Sequence, residues 1–266
     1  MRRFFLIVCL LQFVFMLYAT APDPQDSTLN KTDSKGLKQG HWIGKYDNGK
    51  VKYNGYFKDN HPVGELKRFY DDGIIKAVMN FDNTGKYARA IIDYNNGELA
   101  AEGCYYDNQK DSLWKYYSYY SKYLIADEFY QKGKKNGLSR TYFRNGKIAE
   151  ELEYKDGLMN GIWKQYFDDG ILKLESFYVQ DERSGSFTTY YSNGITETFG
   201  YFVNNLMEKK WQYFDEEGTL KMTVDYSKGL PLDPTLLDQK DKEYFDRIDL
   251  NKGRFPELKI SDLIPK

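Results

Sequence analysis

The sequence predicts an all-β protein: an elongated, coiled antiparallel meander of about eight 24-residue β-hairpin repeats with a short helical or extended C-terminal cap. Three observations support this fold class. The chain repeats every 24 residues, most units carry Asn-Gly or Asp-Gly at the same place, and one later position is always aromatic. A repeat of this length with turn residues in each unit is typical of an array in which every unit packs on its neighbours.

The repeat array extends over residues 40–232, and its units begin at residues 40, 64, 88, 112, 137, 161, 185 and 209. The steps are 24 residues with one of 25, and the first residue of each unit is counted as position 0. Position 9 is Gly in every unit but one, where Ser121 replaces it. Position 17 is aromatic in all eight units. The array therefore has a fixed internal register.

Each unit is predicted to be a β-hairpin. Pairs such as Asn48-Gly49 and Asp169-Gly170 between apolar runs favour a two-residue type I′ turn, because both turn residues need positive φ. Such a turn pairs residues whose position numbers sum to 17. On one face of the sheet, 40 of 56 positions are then apolar or aromatic, whereas fewer than half are so on the opposite face. The sheet is expected to coil, with its apolar face concave.

Residues 1–21 are predicted to be a secretory signal peptide. Arg2 and Arg3 precede an apolar run over 4–17, and small residues follow, so cleavage is expected after Ala19 or Ala21. The protein is then exported to the periplasm or secreted. An uncleaved N-terminal membrane anchor is the alternative that this segment leaves open.

The array is flanked by two segments without the repeat. Residues 22–39 have the composition of a linker. Residues 233–266 are predicted to form a C-terminal cap, in which Asp233-Pro234 begins a short helix. Removal of the signal peptide leaves Cys104 as the one cysteine, so no intrachain disulfide is expected and stability must come from packing.

Composition excludes several classes of function. The 38 basic and 39 acidic side chains give a net charge of −1, which offers no reason to expect a nucleic-acid or anionic-membrane ligand. With two His and two Cys, a Cys/His zinc site or a haem site lacks ligands. Acidic turns such as Asp168-Asp169-Gly170 are interpreted as turns rather than calcium loops. We expect no catalytic, cofactor-binding or metal-binding residue and no enzyme activity, and the oligomeric state stays open.

A row of aromatic residues at position 5, on the more polar face, is the candidate binding site. Tyrosine offers a large contact area at low cost in side-chain entropy, so the row fits a protein partner or a glycan. Stacking between neighbouring strands is the alternative interpretation. This aromatic stripe consists of Phe69, Tyr117, Tyr142, Tyr166, Tyr190 and Phe214.

The motif Gly-x-Trp-x-x-Tyr, as in 161–166, followed by Asn/Asp-Gly and the late aromatic, resembles the bacterial variant of the MORN repeat. Ala90 and Ser139 stand where this motif has Trp, and Lys209 replaces the first Gly. The resemblance implies a non-enzymatic scaffold that binds another macromolecule. It also implies the alternative of an antitoxin or immunity protein that neutralises a toxin by stoichiometric binding, since some proteins with this repeat are of that type.

Overall fold

The computed structural model describes residues 28–236, which form one antiparallel sheet. Each strand pairs with the next strand along the chain, so the predicted all-β meander is confirmed. Within 28–236 the only helical segment is the 3-10 turn Pro234–Leu236. The strands are β1 (Lys31–Thr32), β2 (Lys38–Lys45), β3 (Val51–Lys58), β4 (His61–Phe69), β5 (Ile75–Phe81), β6 (Tyr87–Asp93), β7 (Leu99–Tyr106), β8 (Gln109–Tyr117), β9 (Leu124–Gln131), β10 (Lys134–Tyr142), β11 (Ile148–Lys155), β12 (Leu158–Tyr166), β13 (Leu172–Val179), β14 (Glu182–Tyr190), β15 (Thr196–Val203), β16 (Leu206–Phe214), β17 (Leu220–Ser227) and β18 (Leu230–Pro231).

The eight predicted units correspond to the eight strand pairs from β2–β3 to β16–β17. Within the sixth unit, Gly161 pairs with Tyr178 and Trp163 pairs with Ser176. The position numbers of both pairs sum to 17, as predicted. The register shifts by one residue between Gln165 and Tyr166, next to the turn.

The turn inside the sixth unit explains that shift and differs from the predicted type. In the sixth unit the Gly170 N–H donates to the Phe167 carbonyl at 2.9 Å, and the Phe167 N–H donates to the Ile171 carbonyl at 2.8 Å. Gly170 has φ 93°, whereas Asp169 is not among the residues with positive φ. The Asp169 carboxylate instead accepts the Ile171 N–H at 2.9 Å, an Asx-type contact that fixes the turn. The loop is therefore a three-residue turn with a glycine bulge, and the type I′ prediction is wrong here.

Type I′ turns connect most successive units instead, and the connection 82–86 is the exception among the described residues. Asp59 and Asn60 have φ 52° and 69°, and they lie between Lys58 and His61, which are paired across the turn. Two left-handed residues in a two-residue loop match the twist of the flanking strands. Positive φ at both turn residues recurs in the connections 107–108, 132–133, 156–157, 180–181, 204–205 and 228–229.

The apolar side of the sheet, here called the aromatic face, carries the core. Trp211 and Phe187 are 2% exposed and Val224 is fully buried. On the opposite side, here called the stripe face, Ile162 and Phe177 are 41% and 40% exposed. The predicted facing of the strands is therefore confirmed. Because the described sheet is one layer deep, most of its stabilisation comes from rows of aromatic contacts across neighbouring strands.

The unit of 25 residues has its extra residue in the turn between β8 and β9. Across this turn Tyr117 pairs with Leu124 and Trp114 pairs with Glu128. Beyond the turn, every side chain lies one position later than the uniform repeat predicts. Phe129 was expected to be buried at position 17, but it is 41% exposed. Tyr130 takes its place in the core cluster of Trp114.

Short segments cover the first strand of the array. The described part of the predicted linker includes β1, which pairs with the start of β2. Asn30 extends this contact, because its side chain accepts the Ile43 N–H at 2.8 Å and donates to the Ile43 carbonyl at 3.1 Å. These bonds satisfy backbone groups that an edge strand would otherwise leave open.

At the other end, the predicted helix start is a 3-10 turn. The Asp233 carboxylate accepts the Thr235 N–H at 3.0 Å, as expected of a residue that caps a helical turn. The rest of the predicted cap lies outside the described residues. The predicted signal peptide also lies outside them.

Candidate binding surface

The aromatic stripe follows one border of the stripe face. Its six members are the last residues of the strands β4, β8, β10, β12, β14 and β16, directly before the turn inside each unit. All six are half-exposed. From Tyr117 to Phe214 a member occurs in each successive unit, whereas Phe69 is separated from them by the unit that carries Asp93 at this position. The structure therefore brings five of the six predicted residues together in one continuous row.

Carboxylates of the preceding unit hold three of the stripe hydroxyls. The Tyr117 hydroxyl donates to Glu102 at 2.8 Å, and the Tyr166 hydroxyl donates to Glu151 at 2.8 Å. The Tyr142 hydroxyl donates to Asp127 at 2.9 Å. Each bond joins one unit to the next and fixes the orientation of a half-exposed ring. The sequence did not predict these bonds, although each acceptor lies 15 residues before its tyrosine.

Arg140 joins two of these contacts into a network. Its guanidinium lies 3.1 Å from Glu151 and 3.6 Å from Asp127. Asp127 is 7% exposed, so its charge is nearly removed from water and needs these donors. The centre of the stripe face is thus a hydrogen-bonded network with rings at its border.

The backbone of the stripe is fixed as well. Tyrosines at position 6 donate to the backbone carbonyl of the stripe residue in the next unit. The Tyr46 hydroxyl donates to the Phe69 carbonyl at 2.7 Å, and the Tyr191 hydroxyl donates to the Phe214 carbonyl at 2.8 Å. Such bonds limit the backbone rearrangement that a partner would otherwise have to induce.

Burial and the nearby carboxylates raise the pKa values of three stripe tyrosines. Burial, followed by the hydrogen bond to Glu102, raises the pKa of Tyr117 from 10.0 to about 12. Burial, followed by the bond to Glu151, raises the pKa of Tyr166 to about 12 as well. The pKa of Tyr142 is also raised, by burial and by Asp127. A phenolate next to a carboxylate is unfavourable, so the fold holds these hydroxyls in their protonated form.

We therefore expect a loss of stability at alkaline pH that depends on the stripe. A pKa that is raised on folding contributes stability that is complete below pH 10 and is lost as the pH approaches about 12. Absorbance at 295 nm follows tyrosine ionisation. It should resolve tyrosines that ionise at a clearly higher pH than most tyrosines of the protein. The Tyr166→Phe variant should lose one such group and show a smaller fall in urea midpoint across this pH range. An unchanged titration in that variant would contradict the assignment.

A second, apolar row lies on the stripe face near the type I′ turns, and the sequence analysis did not identify it. Tyr56 is 56% exposed, and its ring stacks on His41 with centroids 4.9 Å apart. Phe129, Ile162 and Phe177 lie at the matching places of later units and are each about 40% exposed. Tyr56 and Phe177 are at position 16 and Ile162 is at position 1, so these three were recognisable in the sequence. Phe129, in contrast, is at position 17 and reaches this face only through the inserted residue. The stripe face therefore has an aromatic border and an apolar border around a charged centre.

Cys104, the one cysteine among the described residues, lies beside a tyrosine. The Cys104 thiol lies 2.9 Å from the Tyr87 hydroxyl, and no His is recorded in contact with it in the described part of the chain. Residues 28–236 contain no group of three or more His, Cys, Asp or Glu arranged to hold a metal ion. The same residues contain no helix long and apolar enough to cross a membrane.

Fold and surface together define a class: a single-sheet array of antiparallel β-hairpin repeats with side chains displayed on a fixed lattice. The model of the MORN repeat variant matches residues 38–59, 62–83, 135–156 and 159–180. Each matched segment begins two residues before a unit and contains all or all but one residue of its hairpin. Four segments of the chain therefore match MORN-variant repeats. Three of the other four hairpins keep the same pairing, and the 25-residue unit is shifted by one residue.

Comparisons with whole proteins say less about this chain than the match to the repeat model does. No curated protein matches this chain. The crystal structure of TarM is 16% identical with a TM-score of 0.26, and the match covers 36% of this chain but only 20% of that chain. The TCP10 domain of Danio rerio CPAP, solved in complex with a peptide of Danio rerio STIL, is 13% identical with a TM-score of 0.18; the match covers 70% of this chain and 100% of that one. Neither similarity bears on the function of this chain.

Proposed function

We propose that this protein is an exported, non-enzymatic scaffold that binds another macromolecule, a protein or a glycan, through its stripe face. The repeat family supports the broader part of this proposal, since MORN repeats are generally binding scaffolds. The partner, the export and the binding face go beyond what the family supports, and each rests on its own argument.

The continuous aromatic row from Tyr117 to Phe214 carries the proposal for the binding face. Its rings are half-exposed, and carboxylates or backbone contacts hold several of them in place. A rigid row of tyrosines loses little conformational entropy on binding, and tyrosine is enriched at recognition surfaces. The alternating charges of Arg140, Glu151, Lys164 and Glu175 at the centre of the face add polar groups that can fix the register of a partner.

Export is supported by the N-terminal sequence. Two arginines, an apolar run and small residues precede the array, in the order of a signal peptide. An array outside the cytoplasm without an intrachain disulfide would depend on its aromatic packing for stability. Its partner would then be another exported or surface-exposed macromolecule.

Neutralisation of a toxin is the alternative form of the same binding activity. It uses the same surface and the same stoichiometric contact, so geometry does not favour one over the other. The identity of a captured partner separates them: a protein that is toxic alone and inactive in the complex would support the immunity function.

The test uses two matched pairs of substitutions on the same face. Tyr166→Ala with Tyr190→Ala removes two neighbouring rings of the stripe. Asp127 keeps its bond to Tyr142, and Glu151 keeps Arg140 as its partner at 3.1 Å. Ile162→Ala with Phe177→Ala removes two equally exposed groups of the apolar row. Each tagged variant is incubated with an extract of the native envelope, and the amount of partner that each retains is compared.

We expect the Tyr166/Tyr190 variant to lose capture of the partner retained by the wild type, with a fall in thermal midpoint of only a few degrees, because central interface aromatics dominate binding energy. The Ile162/Phe177 variant should retain capture. If the tyrosine variant keeps its partner and the other loses it, the apolar row is the site. A large fall in midpoint with the tyrosine substitutions would instead make the stripe a structural stack.

A further inference from the structure

The aromatic face contains a groove where one unit lacks its tryptophan. Position 2 is Trp in the units of Trp114, Trp163 and Trp211, but it is Ser139 in the fifth unit. A groove with a volume of about 680 Å³ lies over this place and extends from β8 to β13. This volume falls in the range of small-molecule sites, which is about 300–1,000 Å³.

The groove is more than the result of a smaller side chain. The third unit has also lost its Trp, yet its Ala90 is fully buried and belongs to a packed cluster with Trp114 and Met79. Ser139, in contrast, is half-exposed and lines the groove. The neighbours of Ala90 thus fill the vacated space, whereas those of Ser139 leave it open.

Aromatic rings form the walls of this groove. Tyr116, Tyr154, Phe143 and Phe167 line it, together with the small polar side chain of Thr141. A flat ring that enters the space of the missing indole would meet ring faces and edges, as the indoles of other units do. Trp163, for example, packs edge-on against Tyr178 with ring centroids 5.7 Å apart.

The groove also contains a carboxylate with no cationic partner among residues 28–236. Glu128 is satisfied, because it lies 2.8 Å from the Lys135 ammonium and accepts the Tyr130 hydroxyl at 2.6 Å. Glu150 accepts only the Gln165 amide, at 2.9 Å, and forms no recorded ion pair. Position 13 is apolar in several other units, so a carboxylate on this face is a local departure from the repeat.

The same face already binds cations from the chain itself. The Lys110 ammonium lies 4.8 Å from the centroid of the Trp114 ring and 5.0 Å from that of Tyr116. The Arg183 guanidinium lies 5.1 Å from the centroid of the Trp163 ring. A cation that contacts aromatic rings is therefore a recurring arrangement on this surface.

We propose that this groove binds a small aromatic amine. The ring would take the place of the missing indole over Ser139, and the ammonium group would pair with Glu150 beside the aromatic walls. Most of the groove's lining lies on the face opposite the stripe, and Tyr142 and Tyr166 of the stripe also line it. The proposal does not depend on the proposed partner.

Tryptamine is the probe for this proposal, and neutral indole tests the role of the charge. Binding to the full-length protein is measured by ligand-observed NMR and calorimetry. We expect tryptamine to bind with millimolar affinity or better. Glu150→Gln should weaken it by about tenfold, as for a lost charge-assisted hydrogen bond, and leave indole binding unchanged. The control Glu153→Gln, at an exposed carboxylate of the opposite face, should have no effect.

Ser139→Trp restores the tryptophan of the repeat and should abolish binding of both probes, with the β-sheet signal in circular dichroism retained. If this variant does not fold, Glu150→Gln still decides the role of the carboxylate. The proposal is overturned if wild-type protein does not bind tryptamine at millimolar concentration, if indole binds as tightly as tryptamine, or if the folded Ser139→Trp variant binds like the wild type.

Discussion

Trp211→Ala is expected to destabilise the protein by about 3–5 kcal/mol, as for other large-to-small substitutions in a core. Trp211 is 2% exposed and contacts the rings of Phe187, Phe202 and Tyr226 at centroid distances of 5.5, 5.1 and 6.1 Å. Its indole N–H also donates to the Tyr201 carbonyl at 3.2 Å. Truncation removes all of these contacts and leaves a cavity that strands on both sides line.

The urea midpoints of Trp211→Ala and Trp42→Ala compare the stability that is lost at a buried and at a half-buried tryptophan. Trp42 occupies the same position in the first unit, but it is half-exposed, so its truncation should cost clearly less. Both variants should be followed by circular dichroism and by hydrogen exchange of β16 and β17, because repeat arrays can unfold in parts. Equal losses for the two tryptophans would contradict the burial pattern that defines the core.

Gly200→Ala is expected to cost about 1–3 kcal/mol, although it adds only a methyl group. A Cβ at Gly200 would overlap the ring of Trp211, and one at Gly103 would overlap Trp114 in the same way. The glycine thus provides the space in which the indole of the next strand lies flat on the backbone. Gly200 does not have a left-handed backbone, so the cost comes from this overlap and not from φ.

The double variant isolates this overlap. In the Trp211→Ala background the ring is absent, so Gly200→Ala should cost little or should stabilise β15 slightly, because glycine is unfavourable in a strand. Thermal and urea unfolding of the four proteins of the cycle measure the coupling. A cost of Gly200→Ala that is the same in both backgrounds would show that the indole does not need the glycine.

The 24-residue period was sufficient to predict the meander and the facing of its strands. The facing follows from side-chain alternation, which any hairpin with this pairing shares. The turn type did not follow, because Asn-Gly and Asp-Gly suit both a type I′ turn and a glycine-bulge loop. The hydrogen bond between the Asp169 carboxylate and the Ile171 N–H accompanies the glycine-bulge loop. The residue pattern alone does not predict whether this bond forms.

The 25-residue unit shows a second feature that the sequence period alone does not predict. Phe129 and Tyr130 are both aromatic, so a period alone does not tell which of them faces the core after an insertion. The pairing of Trp114 with Glu128 settles the register and places Tyr130 inside. The position-5 stripe was recognisable from the sequence as a row. Its bonds to Glu102, Asp127 and Glu151 required knowledge of which strands are neighbours and how far each side chain reaches.

The central claim is that the partner binds along the aromatic stripe. Site-specific photo-crosslinking in the native envelope tests it most directly, with p-benzoylphenylalanine placed in turn at Tyr190 in the stripe, at Phe177 in the apolar row and at Trp42 on the aromatic face. Tyr190 and Trp42 are partly exposed and Phe177 is exposed, so each probe can reach a bound macromolecule. The account predicts that one partner crosslinks most strongly from Tyr190 and not from Trp42. Crosslinking of that partner from Trp42 with none from Tyr190 would contradict it.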